Sequence, residues 1–377
     1  MTLRVCKGSK LLVLVVLMCG LLLSTVSAGG AWSSPLNLAP SSADAQSVSV
    51  AVDAAGRTHV VWSEESRLWH RIKSDGAWSV GQDLGAGSEP HLVAASTYIH
   101  LVFVGGALGE DVYYTAWDPA ESWRAPVNVS ESPTASFSPT LAVHPEEGLA
   151  VIWVEAGDVE TLLYIGRSHT GDLWSAAPIP NARGYHPVAT FGPGGRLIVA
   201  WEDLFDVGLA WDILVSEWDG GKWSLPVDVS FSPMSDSEQP QLIVSPADLA
   251  LVWLEEGQVL LSQHDAMGWT EPESVWSAGA TALAGVGDSE GVGHLAWIGE
   301  GVLWYRTWNL ASDSWQDAVQ VVDGLLHAHQ VALAADADGA RVAWLATGPS
   351  GTDPFFASNL ASEVGEYTLY LPLVQRP

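Results

Sequence analysis

Trp32-Ser33-Ser34-Pro35-Leu36-Asn37-Leu38 is the end of a repeat that stands at the beginning of the chain. Its counterparts open with a tryptophan, often with proline three residues on, as in Trp123-Arg124-Ala125-Pro126 and Trp223-Ser224-Leu225-Pro226; Trp78, Trp174, Trp269 and Trp315 continue the register. Each of those six follows, by 16 to 22 residues, a second element, a short apolar run closing on an aromatic. The runs are His59-Val60-Val61-Trp62, His100-Leu101-Val102-Phe103, Ala150-Val151-Ile152-Trp153, Ile198-Val199-Ala200-Trp201, Ala250-Leu251-Val252-Trp253, His294-Leu295-Ala296-Trp297 and Arg341-Val342-Ala343-Trp344. Seven runs therefore have six tryptophan partners downstream, and the seventh partner is Trp32. An open stack has no reason to begin with the last strand of its unit. A closed ring does, because the N-terminal strand completes the final blade and removes the free sheet edges.

The aromatics recur every 41 to 52 residues. β-branched and aromatic enrichment, regular Gly/Asp/Pro turns and the lack of sustained helical periodicity give four short strands, A to D, per unit. The fold expected is all-β: a seven-bladed β-propeller over 29–361, closed by its N-terminal strand. Thirteen of the twenty tryptophans belong to the two registers and are expected to pack between blades. Asp336-Ala337-Asp338-Gly339 has the look of a calcium loop, but it aligns with Asp53-Ala54-Ala55-Gly56 and is expected to be an A–B hairpin.

Residues 1–28 are expected to be a signal peptide. Arg4, Lys7 and Lys10 precede the apolar stretch from Leu11 to Leu23, and Val26-Ser27-Ala28 supplies small residues at the cleavage positions. The protein is therefore expected to be secreted or held at the cell surface, with no membrane insertion after cleavage. Both cysteines, Cys6 and Cys19, lie in the signal, so the mature chain has no disulfide and must rely on core burial. Its 12 basic residues face 44 acidic ones, with only Lys73 and Lys222 left as lysines. Such a field repels phosphate backbones, so nucleic acid is excluded as a partner. The ring is expected to be a monomer. Residues 362–377 leave the repeat; Tyr367-Thr368-Leu369-Tyr370-Leu371-Pro372-Leu373-Val374 reads as a closing strand or a sorting segment.

The unit resembles the sialidase-like repeat family, also called BNR or Asp-box repeats, in Trp32 to Leu38, Pro139 to His144 and Gly56 to Trp62. The resemblance spans about Gly30 to Ala361 and implies the propeller fold. Its Asp box is degenerate: the aspartate position five before the D-strand tryptophan is His169 at Trp174 and Lys73 at Trp78, although Gly171 fits. The family also implies a triad of arginines gripping a sugar carboxylate on the face formed by the D–A and B–C loops. Here Arg57, Arg196 and Arg341 fall at A–B hairpins and Arg71, Arg124, Arg167 and Arg306 on outer strands. Only Arg67 and Arg183 reach the ligand-side loops, so the triad is lacking and sialic acid hydrolysis is not expected.

The ligand-side loops instead carry nineteen acids, among them Asp44, Glu64, Glu155, Glu202, Asp203, Asp236, Glu255 and Asp353. They suit Ca²⁺, a glycan or a basic peptide, or they are simply solvated loops of an acidic protein. Aligning the A strands on Pro90, Pro139, Pro187 and Pro240 exposes a polar column just before: Ser47, Glu89, Ser138, His186, Gln239, Thr281 and Gln330. Innermost strands start at the channel mouth, so Glu89, His91, Tyr185, His186, Glu238, Gln239, Gln241, His329 and Gln330 are the candidate ligand-binding residues. No cofactor other than Ca²⁺ is expected, and His91, His186 and His329 are the only set of histidines placed to share a metal there. Three functions stay open: a non-catalytic binding protein for a glycan or a protein or peptide ligand, a glycoside hydrolase or lyase acting on a neutral sugar through Glu89 and Glu238, and a mainly structural array fixed to the envelope by its tail.

Overall fold

A computed structural model describes residues 31–361, apart from 40–42, 107–109, 145–147, 158–160, 169–170, 172–173, 205–209, 233, 278, 325–326 and 350. The expected signal peptide and the C-terminal tail segment lie outside the described residues. Seven antiparallel sheets form the chain, each a blade of a β-propeller. The innermost strands are Ala45–Val52, Ser88–Ala95, Ser136–His144, Tyr185–Phe191, Ser237–Val244, Ala280–Gly287 and Ala328–Asp336. Each packs on the next around the ring, and the last packs on the first.

The N-terminal segment closes the circle as its displaced position requires. Leu36–Asn37 is the fourth strand of the seventh blade, with Leu36 opposite Phe356 and Asn37 opposite Phe355. The Ser33 and Leu38 amides donate to the Ser358 and Pro354 carbonyls at 2.7 and 2.8 Å, and Asn37 Nδ2 donates to Asp353 at 2.9 Å. Leu38 is buried with Phe356 and Val60, between the seventh and first blades.

The core is not central. Seven apolar clusters lie one between each pair of neighbouring blades. A second strand such as Thr58–Glu64 has neighbours on both faces, which is why it is apolar without alternation and buried throughout except at its end. The repeat aromatics are its largest members: Trp153, Trp201, Trp253 and Trp297 are wholly inaccessible. The downstream tryptophans are half-buried against the preceding blade, as Trp78 is on Phe356, Trp123 on His70 and Trp174 on Tyr114. They do not open one continuous outer strand as the sequence suggests. In five blades the tryptophan closes the C–D hairpin, the chain breaks near the following proline or turn, and a separate piece such as Gln82–Ala86 or Val127–Asn128 re-pairs with the third strand. The Asp336 turn is the A–B hairpin between Ala328–Asp336 and Gly339–Gly348.

Several loop placements need correction: Glu64, Glu155, Glu202, Asp203 and Glu255, expected in B–C loops, lie at the ends of second strands. Asp353, taken for a B–C loop acid, is in the third strand Gly351–Ser358 opposite Ala346, because the second strand runs on to Gly348, which pairs with Gly351. Arg341 is not at a hairpin tip but inside its strand, almost wholly buried, with Nη1 2.6 Å from Asp336.

Candidate site at the channel mouth

The innermost strand of every blade has one hydrogen-bonding edge facing the channel, so its outward amides need partners. Each strand also has a break in register near its start, such as Ser88/His91 and Tyr185/Val188, at the polar column. Proline has no N–H to give the ladder, and the residue before it is displaced into a bulge. Glu89, Ser138, His186 and Gln239, the four pre-proline members, all take left-handed backbone with φ of 48 to 56°. That conformation costs a non-glycine residue on the order of 1–3 kcal/mol, and such strain concentrates at functional sites.

The column then stitches blade to blade. Glu89 accepts from the Ser138 amide at 2.7 Å, His91 Nδ1 from Leu141 at 3.2 Å and Gln330 from Val48 at 3.0 Å. Gln239 accepts from Leu283 at 3.2 Å. Much of the predicted ring is thus occupied in capping the neighbouring strand. Gln241 turns back to the Pro240 carbonyl at 2.8 Å, and His329 Nδ1 lies 3.3 Å from the His327 carbonyl. Among the described residues no three His, Cys, Asp or Glu side chains gather where they could hold a metal ion, so His91, His186 and His329 do not form the shared site considered for them.

What does converge is a group from the second to fifth blades. His186 Nδ1 sits 2.8 Å from Glu202 Oε2, and the other oxygen of Glu202 accepts from the Gln239 amide at 2.8 Å. Glu202 is buried while the imidazole is well exposed. The bond to Glu202 raises the His186 pKa against partial desolvation, and the charges of Glu202, Glu89 and Glu238 add to it. Burial raises the Glu238 carboxyl, with the like charges of Glu202 and Asp236 in the same direction and His186 opposing. Protein surrounding His91 in the channel pushes its imidazole down to about 4.

Beside this group stand three half-buried rings. Tyr185 meets Trp211 edge-on at 5.6 Å between centroids, and Phe137 lies 6.3 Å from Tyr185. The Trp211 amide donates to Asp236 at 3.0 Å, and its carbonyl accepts from Ser237 at 2.7 Å, which ties the loop to the next blade. Gly184 makes Tyr185's position possible: at φ +132° a Cβ there would stand 1.9 Å from the Glu202 carbonyl oxygen. Trp211 and Phe137 escape sequence reading because they occur once each outside the repeat. The available signal for Trp211 is that it fits neither tryptophan register.

The remaining acids of this face divide. Glu155 is buried and accepts from Ser136 at 2.9 Å and from the indole of Trp153 at 2.8 Å; Glu255 accepts from Ser232 and Ser237. These clamp their own loops. Both ligand-side arginines are engaged as well, Arg67 with Asp83 and Arg183 with Asp203.

The geometry defines a seven-bladed β-propeller whose channel mouth carries carboxylates and aromatic rings. A polysaccharide lyase, Uly1, superposes with a TM-score of 0.55 at 10% identity, covering 85% of this chain and 90% of that one. A Trypanosoma rangeli sialidase in complex with sialic acid gives 0.52 at 10% identity, covering 83% of this chain; this chain spans only 60% of the sialidase. A lectin of Aleuria aurantia in complex with Fucα1-6GlcNAc gives 0.47 at 14% identity, over 74% of this chain and 96% of the lectin. At such identities the likeness to the lyase and the sialidase shows the fold alone. No family model matches the sequence, and no curated protein matches it.

Proposed function

We propose that the chain is exported and that its channel mouth binds a glycan without turning it over. The observation carrying this reading is the convergence of Phe137, Tyr185 and Trp211 beside Glu89, His186, Glu202 and Glu238. Aromatic rings offer apolar faces to the C–H surfaces of a sugar, and convergent donors and acceptors fix its hydroxyls. The surplus of carboxylates, with Arg67 and Arg183 both ion-paired, favours an uncharged or amino sugar over an acidic one. Strained backbone at Glu89, His186 and Gln239 holds the polar groups in place before ligand arrives.

The test is an array of neutral, amino and acidic glycans probed with the mature chain, followed by calorimetry on the hits. Tyr185→Ala and Trp211→Ala are each expected to weaken binding at least tenfold while the circular dichroism spectrum stays unchanged. Saturable binding insensitive to both substitutions would refute the site.

One observation favours a second reading, hydrolysis of a neutral sugar. Glu238 is held toward its protonated form close to the His186–Glu202 pair, an arrangement able to give and take a proton. Sugar release that Glu238→Gln abolishes would establish that reading over simple binding.

A further inference from the structure

On the opposite face, the three histidine-initiated repeat runs allow an internal comparison. In the first blade His59 Nε2 faces Asp53 at 3.4 Å, and in the sixth His294 Nε2 faces Asp288 at 3.1 Å. Both aspartates come from the A–B hairpin, six residues before the histidine. The other ring nitrogen bonds the third strand: His59 to His70 at 3.1 Å, His294 to the Tyr305 hydroxyl at 2.6 Å. In the second blade His100 keeps half of this arrangement, with Nδ1 2.8 Å from the Tyr114 hydroxyl. Its hairpin, Ala95-Ser96-Thr97-Tyr98, is shorter and has no aspartate. Among the described residues no partner meets His100 Nε2.

A cleft of about 340 Å³ opens at that place, between the second and third blades. Tyr98, His100, Tyr114, Arg124 and His144 line it. The Arg124 guanidinium lies over the Tyr98 ring, 5.1 Å from its centroid, and reaches the Tyr98 hydroxyl at 3.5 Å. In the first and seventh blades the hairpin aspartate is held by an arginine, Arg57 or Arg341. In the second blade the cation is there and the carboxylate is not: among the described residues no acid lies within ion-pair distance of Arg124.

We propose that this cleft binds a small carboxylic acid on a ring-sized scaffold, whose carboxylate takes the place that Asp53 and Asp288 occupy in the sister blades. One carboxylate oxygen would accept from His100 Nε2–H and the other from the Arg124 guanidinium, while Tyr98 and Tyr114 flank the ring. The volume matches small-molecule pockets, which begin near 300 Å³. The site is separate from the channel mouth and does not rest on the glycan reading.

The experiment is calorimetry of the mature chain with benzoate, cyclohexanecarboxylate and glucuronate, each beside its uncharged amide, at neutral pH. Saturable binding of at least one acid is expected, with its amide at least tenfold weaker. Arg124→Gln should weaken the acid at least tenfold and leave the amide unchanged; Arg196→Gln, which removes the partner of Glu217 on another blade, should change neither. Glucuronate binding alone would assign a sugar acid, and benzoate or cyclohexanecarboxylate binding a simpler one. No saturation by any of the three acids, equal binding of acid and amide, or an affinity untouched by Arg124→Gln in a protein with the wild-type melting temperature would overturn the proposal.

Discussion

Lowering the pH from 7 to 5 loads the hydrogen-bonded chain that runs from Trp123 to Asp53. An indole N–H can only donate, so Trp123 Nε1, 3.0 Å from His70 Nδ1, fixes that nitrogen as an acceptor. His70 must then donate from Nε2 to His59 Nδ1, and His59 from Nε2 to Asp53. Every link points one way and both rings are neutral. A proton added to either ring sets two donors against each other in a buried place. Burial accordingly lowers His59 to about 4, despite the Asp53 charge, and His70 to about 3, with the neighbouring His59 adding to the effect.

The sign follows from these depressed values. The unfolded chain, with histidines near 6.5, binds protons that the folded chain refuses, so the stabilisation is complete above pH 6.5 and is lost as the pH falls toward 4 and then 3. At pH 5 each ring forgoes about 1.5 pK units, or about 2 kcal/mol, and the pair about 4 kcal/mol. Urea unfolding followed by tryptophan fluorescence at pH 7, 6 and 5 measures this directly. The variant His59→Gln/His70→Gln is expected to be less stable at pH 7, yet to lose about 4 kcal/mol less than wild type between pH 7 and 5. Equal losses in the two proteins would refute the one-way chain.

Four further outcomes are expected. Leu38→Ala should cost about 2–5 kcal/mol by emptying the seam between the first and seventh blades, read by urea denaturation. Gly184→Ala should destabilise by more than about 2 kcal/mol and impair ligand binding as well, since the clash is with the Glu202 backbone. Gln330→Ala should cost about 1 kcal/mol and speed hydrogen exchange at the Val48 amide, detectable by NMR or mass spectrometry. Trp153→Phe should cost about 1–2 kcal/mol more than Trp201→Phe in paired melts, because Trp153 gives its N–H to Glu155 while the buried Trp201 N–H has no partner among the described residues.

Whatever recurs seven times could be read from the sequence, because each blade poses the same packing problem and answers it with similar residues. Trp62, Trp153 and Trp253 mark the second strands, and the stray Trp32 reveals the closure. The polar column was visible for the same reason. Its use was not: whether Glu89 faces a ligand or caps the Ser138 amide depends on where the next blade's unpaired N–H lies, which only the ring geometry fixes. Trp211 and Phe137 carry no period, so nothing in the chain order joins them to Tyr185. The cleft at Arg124 was hidden differently, as an aspartate missing from a hairpin, and a missing residue becomes informative only once Asp53 and Asp288 are seen holding their histidines.

A crystal structure of the mature chain with its best-bound oligosaccharide bears most directly on the channel mouth. A sugar ring against Tyr185 and Trp211, with hydroxyls within hydrogen-bond distance of His186 or Glu238, is the outcome expected. Density for the sugar at the blade edges or the hairpin face, with the mouth holding only water, would contradict it.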